Sequence, residues 1–212
     1  QTSYLCKNVD LSPFLAQLPF QLTGAQQRAI SDVCSDLQKS TPMNRLVQGD
    51  VGSGKTMVAA AAAFVSFQNG YLSALMAPTE ILAQQHFQGL SRLLSPLGMR
   101  VALLCGSMTA KEKRDVKERI ALGMVDLVIG THALISEDVD LPNLALVVTD
   151  EQHRFGVGQR TKLSEKSDHP HTLVMSATPI PRTLALMIYG DLDVSIIDEL
   201  PPHRQPVKTY VI

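Results

Sequence analysis

The chain has 212 residues, 45% of them apolar and 18% charged, and its 19 basic and 20 acidic side chains leave a net charge of −1. That length suits one large α/β domain with a well-buried core. The charge balance speaks against a broad basic surface for duplex nucleic acid, while leaving room for a narrow track of backbone amides, hydroxyls and helix N-termini.

No apolar run is long and uncharged enough to span a bilayer. Gln1-Thr2-Ser3-Tyr4 shows neither an initiator Met nor a signal-peptide shape, so the chain reads as a segment of a longer, cytoplasmic protein. Cys6, Cys34 and Cys105 are scattered and odd in number. They fit buried thiols in a reducing compartment better than disulfides or a metal site. Residues 1–18 are weakly patterned and read as a connector from an upstream domain. Thr23-Gly24-Ala25-Gln26 has capping-box spacing and opens a helix over about 24–37, which Lys39-Ser40-Thr41-Pro42 ends.

Beyond it, short apolar runs at 45–48, 72–76, 100–105, 126–130, 144–149 and 172–176 alternate with helical patterns at 56–68, 80–94 and 109–122. Thr79 and Thr109 are N-cap candidates, and Glu112 gives Thr109 a second capping box. Repeated strand and helix implies right-handed crossovers and a mainly parallel sheet with helices on both faces, a three-layer α/β domain. The runs are apolar throughout, as strands buried on both faces must be. In such sheets the functional loops leave the carboxyl ends of the strands. Polar clusters stand there: the turn at 49–56, Pro78-Thr79-Glu80, Gly106-Ser107, Gly130-Thr131-His132, Asp150-Glu151-Gln152-His153 and Ser176-Ala177-Thr178.

Gly49-Asp50-Val51-Gly52-Ser53-Gly54-Lys55-Thr56 meets the pattern G-x-x-x-x-G-K-[ST], with an apolar stretch before it and an Ala-rich helical pattern after it. Glycines let the backbone wrap a polyphosphate with successive N–H groups pointing inward, and the following helix adds its positive end. Lys55 is expected to reach the terminal phosphates and Thr56 to hold Mg²⁺. Across the site, the buried run 144–149 leads into paired carboxylates. Asp150 is expected in the Mg²⁺ shell, and Glu151 to orient the attacking water. His153 has no companion spaced for a metal and fits a polar relay, for which Ser176 and Thr178 stand in position. A turn capping the next helix is the competing reading of that pair. Lys111, Lys113, Arg114, Lys117 and Arg119 are interleaved with acids and read as a solvated helix face.

The phosphate loop, Asp-Glu-Gln-His and Ser-Ala-Thr, in this order, resemble the first motor domain of superfamily 2 helicases, with a RecA-like fold. Longer strings narrow the resemblance to the RecG family of branched-DNA helicases: Asp150-Glu-Gln-His-Arg-Phe-Gly-Val157, Met175-Ser-Ala-Thr-Pro-Ile-Pro-Arg-Thr183, Gly190-Asp-Leu-Asp-Val194 and Asp198-Glu-Leu-Pro-Pro202. Coupling translocases of transcription and repair share the Pro-Ile-Pro-Arg-Thr run but carry Glu where Gln152 stands. The resemblance implies ATP and Mg²⁺ as cofactors. It also implies adenine recognition by Gln26 with Phe20 and Leu22 nearby, although the capping box accounts for Gln26 as well.

For DNA, the resemblance implies backbone contacts by Pro78, Thr79 and Glu80 and by Thr131 and His132. Gly106 is a further candidate, and strand-to-helix turn chemistry is the alternative for each. His153, Ser176 and Thr178 are implied to couple hydrolysis to movement. The implied organisation is a motor domain over 19–200 and the start of a hinge at 201–212. An upstream wedge domain and a second motor domain supply what this segment lacks, and the protein is monomeric. A P-loop kinase would need an arginine-bearing lid, which is not apparent. A non-enzymatic regulator would have no need of Glu151.

Overall fold

The computed structural model describes residues 4–50, 54–151, 165–177 and 192–198, with the single positions 163, 183 and 187. Its strands are β1 (Asn44–Gly49), β2 (Leu72–Met76), β3 (Val101–Leu104), β4 (Leu127–Gly130), β5 (Leu144–Glu151), β6 (His171–Ser176) and β7 (Asp193–Ile197). The helices are α1 (Ser12–Gln17), α2 (Gly24–Leu37), α3 (Lys55–Gln68), α4 (Glu80–Leu94) and α5 (Ala110–Ala121). The strands pair in the order β3-β4-β2-β5-β6-β1-β7, every pair parallel.

Apolar strand sequences put the core on both faces. Every residue of β2 and of β4 is buried. Alternate side chains serve different layers, as the two-residue period of a strand requires. Leu75, Ile129 and Val148 pack with α2, α3 and α4, while Ala74, Met76 and Val128 pack with Val116 and Ile120 of α5. Helix α3 is apolar nearly all round, with Val58 through Ser66 buried. A helix of that kind belongs inside a domain, and the run Ala59–Ala63 lets it lie close to the sheet.

Both anticipated capping boxes are formed, at Thr23/Gln26 and at Thr109/Glu112. Thr79 caps α4 by accepting from the Leu82 N–H at 3.2 Å. Most element ends fall within one residue of the sequence reading. Strand β3 is shorter at both ends, and β5 continues through Asp150 and Glu151. Among the described strands and α-helices, α1 and β7 are the two that the sequence pattern did not signal. The weakly patterned segment before α2 is anchored: Cys6 and Phe14 are buried, Phe14 stacks on Phe64 at 6.0 Å, and the Cys6 N–H donates to Leu37 O at 2.9 Å. Strand β7 is held at the sheet edge by Arg45 of β1. Its guanidinium donates to Asp36 of α2 at 2.6 Å and to Ser195 of β7 at 2.9 Å. Among the described residues no helix is long and apolar enough to cross a membrane.

Candidate functional site

The site begins where β1 ends. Gly54, in the left-handed region at φ 90°, is the N-cap of α3, and Lys55 and Thr56 open that helix. A Cβ at Gly54 would stand 1.8 Å from Gln26 Nε2, so only glycine fits both the backbone angle and the space. Gln26 is fully buried, and its two ends divide the work. Oε1 accepts from the Thr23 N–H at 2.9 Å as the capping box requires, while Nε2 lies against Gly54. Capping and service at the phosphate loop are therefore compatible roles for one side chain. Phe20, Gln26, Gly54, Lys55, Thr56, Asp150 and Met175 line one cleft, together with His86 of α4. Leu22 does not line it; its side chain packs against the core beneath.

Lys55 is 9% exposed, and its ammonium donates to the carbonyls of Gly49 at 2.7 Å and Asp50 at 3.3 Å. Desolvation pulls it below the ordinary lysine value, while the Asp150 and Asp50 carboxylates act the other way. A buried cation held on two neutral carbonyls is incompletely paired. An incoming polyphosphate offers it full charges instead.

Asp150 is 3% exposed, and its Oδ2 accepts from His86 Nε2 at 2.7 Å. An ionised carboxylate only accepts, so that ring nitrogen carries the hydrogen. One carboxylate and one hydroxyl, Asp150 and Thr56, are hard oxygen donors on one cleft. Such a set fits Mg²⁺, which takes one or two protein oxygens and completes its shell with water and phosphate.

The neighbouring strand binds these parts together. Ser176, at the end of β6, stands in register with Gln48 of β1 on one side and Glu151 of β5 on the other. It is buried and so sits between the strand that feeds the phosphate loop and the strand that carries the carboxylates. Val51, Gly52, Ser53, Gln152, His153 and Thr178 lie outside the described residues, and Glu151 is placed by its backbone alone.

The loops after β2, β3 and β4 form a second cluster, because those strands are neighbours in the sheet. Glu80 Oε1 accepts from the Ser107 N–H at 2.8 Å. The Ser107 bonds lower the Glu80 carboxyl below its ordinary value, and His132 and Lys113 add a smaller pull. Gly106 lies against the same carboxylate, 3.3 Å from where its Cβ would be. Thr79 and His132 are exposed and Pro78 is half-buried, whereas Thr131 is 1% exposed, and its buried hydroxyl has no hydrogen-bond partner among the described residues. Gly130 allows a close approach of strands β3 and β4: a Cβ there would meet Leu104 O at 2.1 Å.

Sequence reasoning missed His86. Its partner lies 64 residues away across the fold, beyond the reach of local pattern. One signal was present: Leu82, His86 and Leu90 follow one another at helical spacing on the inward stripe of α4.

A phosphate-loop sequence at the end of β1, a buried carboxylate at the end of β5 and an all-parallel, helix-covered sheet define a RecA-like P-loop domain. Residues 23–187 match the DEAD/DEAH box helicase family, and the chain belongs to it. Within that family it is 56% identical over 203 residues to the ATP-dependent DNA helicase RecG of Haemophilus influenzae, covering 94% of this chain and 29% of that protein. It is 50% identical to RecG of Bacillus subtilis, covering 96% of this chain and 30% of that protein. The solved structure of RecG bound to a three-way DNA junction matches with a TM-score of 0.82 at 48% identity, over 96% of this chain and 28% of that one. DEAD-box helicase Mss116, at 19% identity and a TM-score of 0.69 over 92% of this chain and 43% of that one, shares the fold. The chain thus spans less than a third of the RecG proteins it resembles.

Proposed function

We propose that this chain is the ATP-binding motor half of a RecG-type helicase that couples ATP hydrolysis to movement on branched DNA. One observation carries the reading: Gln26, Lys55, Thr56 and Asp150 face a single cleft in a chain that is 56% and 50% identical over 203 residues to two RecG proteins. Gln26 and Phe20 hold the adenine side of ATP, and Lys55 moves from its carbonyls to the terminal phosphates. Thr56 and Asp150 hold Mg²⁺, whose chemistry when bound is to neutralise phosphate charge as it develops. Glu151 orients the water that attacks. Ser176, with Thr178 and His153, links this cleft to the DNA side.

On that side, Thr79, the Ser107 turn and His132 meet the sugar–phosphate backbone through small polar groups and helix ends, contacts that carry no sequence information. Glu80 serves them by fixing the Ser107 turn rather than by touching phosphate. Residues 1–18 lead from a wedge domain and residues 201–212 lead to a second motor domain. That second domain supplies the arginine that completes hydrolysis, a contribution worth about three to five orders of magnitude in rate in related phosphoryl transfers. The whole protein acts as a monomer in the cytoplasm on forks and Holliday junctions, and this segment by itself binds Mg-nucleotide while turning it over very slowly.

The test is the ATPase rate of the full-length protein with a three-way DNA junction, linear duplex or RNA polymerase added. The reading expects the junction to stimulate most. Stimulation by RNA polymerase and not by the junction would replace it with a transcription-coupled translocase.

A further inference from the structure

The two clusters at the carboxyl edge of the sheet are joined by one helix. Helix α4 starts at the Thr79 cap and the Glu80–Ser107 bond, and two turns later it places His86 against Asp150. Seven residues of helix span roughly 10 Å. Over that distance a hydrogen-bonded helix moves as a rod, so a displacement of its first turn is passed on to His86.

Both ends of the His86–Asp150 bond are sheltered, with side-chain exposures of 13% and 5%. His86 holds Oδ2, and among the described residues no hydrogen bond engages Oδ1. The imidazole therefore sets the plane in which the carboxylate presents its other oxygen. Carboxylates that hold metals are commonly oriented in this way by a second hydrogen bond.

We propose that His86 is a positioning residue that makes the Mg²⁺ affinity of Asp150 depend on what the first turn of α4 touches, so that α4 is the link through which DNA contact is felt at the nucleotide site. The proposal rests on the reading of Asp150 as an Mg²⁺ ligand. Coupling of this kind is reciprocal: DNA that tightens Mg-nucleotide binding is itself bound more tightly by the same factor.

The experiment uses the full-length protein at one fixed pH, a fluorescent non-hydrolysable ATP analogue and a Mg²⁺ titration with and without a three-way DNA junction. In the wild type the junction is expected to lower the Mg²⁺ concentration for half-maximal analogue binding. In His86→Ala that concentration rises roughly tenfold, as loss of an orienting partner commonly costs, and the effect of the junction shrinks toward none. Analogue affinity at saturating Mg²⁺ stays within about twofold, which damage to the fold would not spare. His86→Gln, which keeps an N–H at a similar reach, restores much of both effects. If His86→Ala loses its cooperative thermal transition, His86→Asn, whose side chain is too short for the bond, is read in its place. A wild type indifferent to the junction overturns the proposal, and so does a His86 variant with unchanged Mg²⁺ dependence and unchanged junction effect. Asp150→Ala separates the levels. If it loses Mg²⁺ dependence while the His86 variant behaves as wild type, only this inference falls. If Asp150→Ala keeps the wild-type dependence, the Mg²⁺ reading of Asp150 falls with it.

Discussion

Two clusters occupy the same edge of one sheet and are built on opposite terms. Around β1, β5 and β6 the charges are buried: Lys55 and Asp150 are 9% and 3% exposed, Lys55 held on two backbone carbonyls and Asp150 on the His86 ring. Around β2, β3 and β4 the polar groups stand largely in solvent, and Glu80 holds the Ser107 turn from the surface. Buried charge makes a site demanding, because few ligands supply what the interior lacks. Exposed, self-satisfied polar groups make a site tolerant and sensitive to salt. The contrast suits the roles proposed for the two clusters, a cleft for one kind of molecule and a surface for DNA of any sequence.

The largest break in that contrast is expected from Lys55→Ala. Removing the cation leaves Asp150 buried without it and takes away the phosphate partner. Nucleotide affinity should fall by about two orders of magnitude, in line with the roughly 2–5 kcal/mol lost when one partner of a hydrogen-bonded charge pair in a binding site is truncated. Binding of junction DNA without nucleotide should be unchanged. Fluorescent nucleotide titration and a gel-shift assay measure the two quantities, and parallel losses would refute the separation of the clusters. Gly130→Ala strikes the floor of the cluster after β2, β3 and β4, the one proposed to face DNA. The new methyl group would overlap Leu104 O, and overpacking of this kind costs about 1–3 kcal/mol, read as a lower Tm with nucleotide affinity retained per folded molecule.

Glu80→Gln is gentler. The carboxylate is solvent-exposed, and its loss should loosen the Ser107 turn, weakening junction binding a few-fold at low salt with less effect at high salt. The smallest effect belongs to neither cluster. His171, at the other end of β6, is fully buried; its Nδ1 accepts from the Met43 N–H at 2.8 Å, and its Nε2 donates to Tyr4 O at 3.0 Å. Burial lowers its pKa below the ordinary 6.5, against the opposing pulls of Tyr4 and Asp36. Between the two values the folded chain holds fewer protons than the unfolded one. Stability from this group is therefore complete above about pH 6.5 and is lost as the pH falls toward the depressed value. Thermal melts of wild type and His171→Gln across pH 5–8 should differ in slope only on the acidic side.

What the sequence made legible was whatever is local. Apolar runs located the strands, and hydroxyl-to-amide spacing located both capping boxes, because these depend on residues three or four positions apart. The phosphate loop and Asp150 could be paired because each carries its own short pattern. Strand β7 escaped because it lies at an edge: Asp193 and Ile196 face out, so no continuous apolar run announces it. Helix α1 escaped because one buried aromatic, Phe14, carries its packing. Leu22 and Thr131 turned inward for reasons of three-dimensional space that spacing does not encode. His86 was hidden among the apolar positions of α4, where a histidine reads as core until the strand opposite is known.

In the proposed nucleotide site, Lys55 resting on the carbonyls of Gly49 and Asp50 has a kinetic consequence. The loop is its own competitor: before a nucleotide can be gripped, two internal bonds must be given up, and after product leaves, the same bonds are waiting. Exchange is therefore a substitution rather than a filling of empty space. Such an arrangement trades affinity for turnover, letting spent nucleotide go because the ammonium has somewhere to return. The proposed motor role, with its many cycles along DNA, is served better by a grip that opens readily than by one that holds fast.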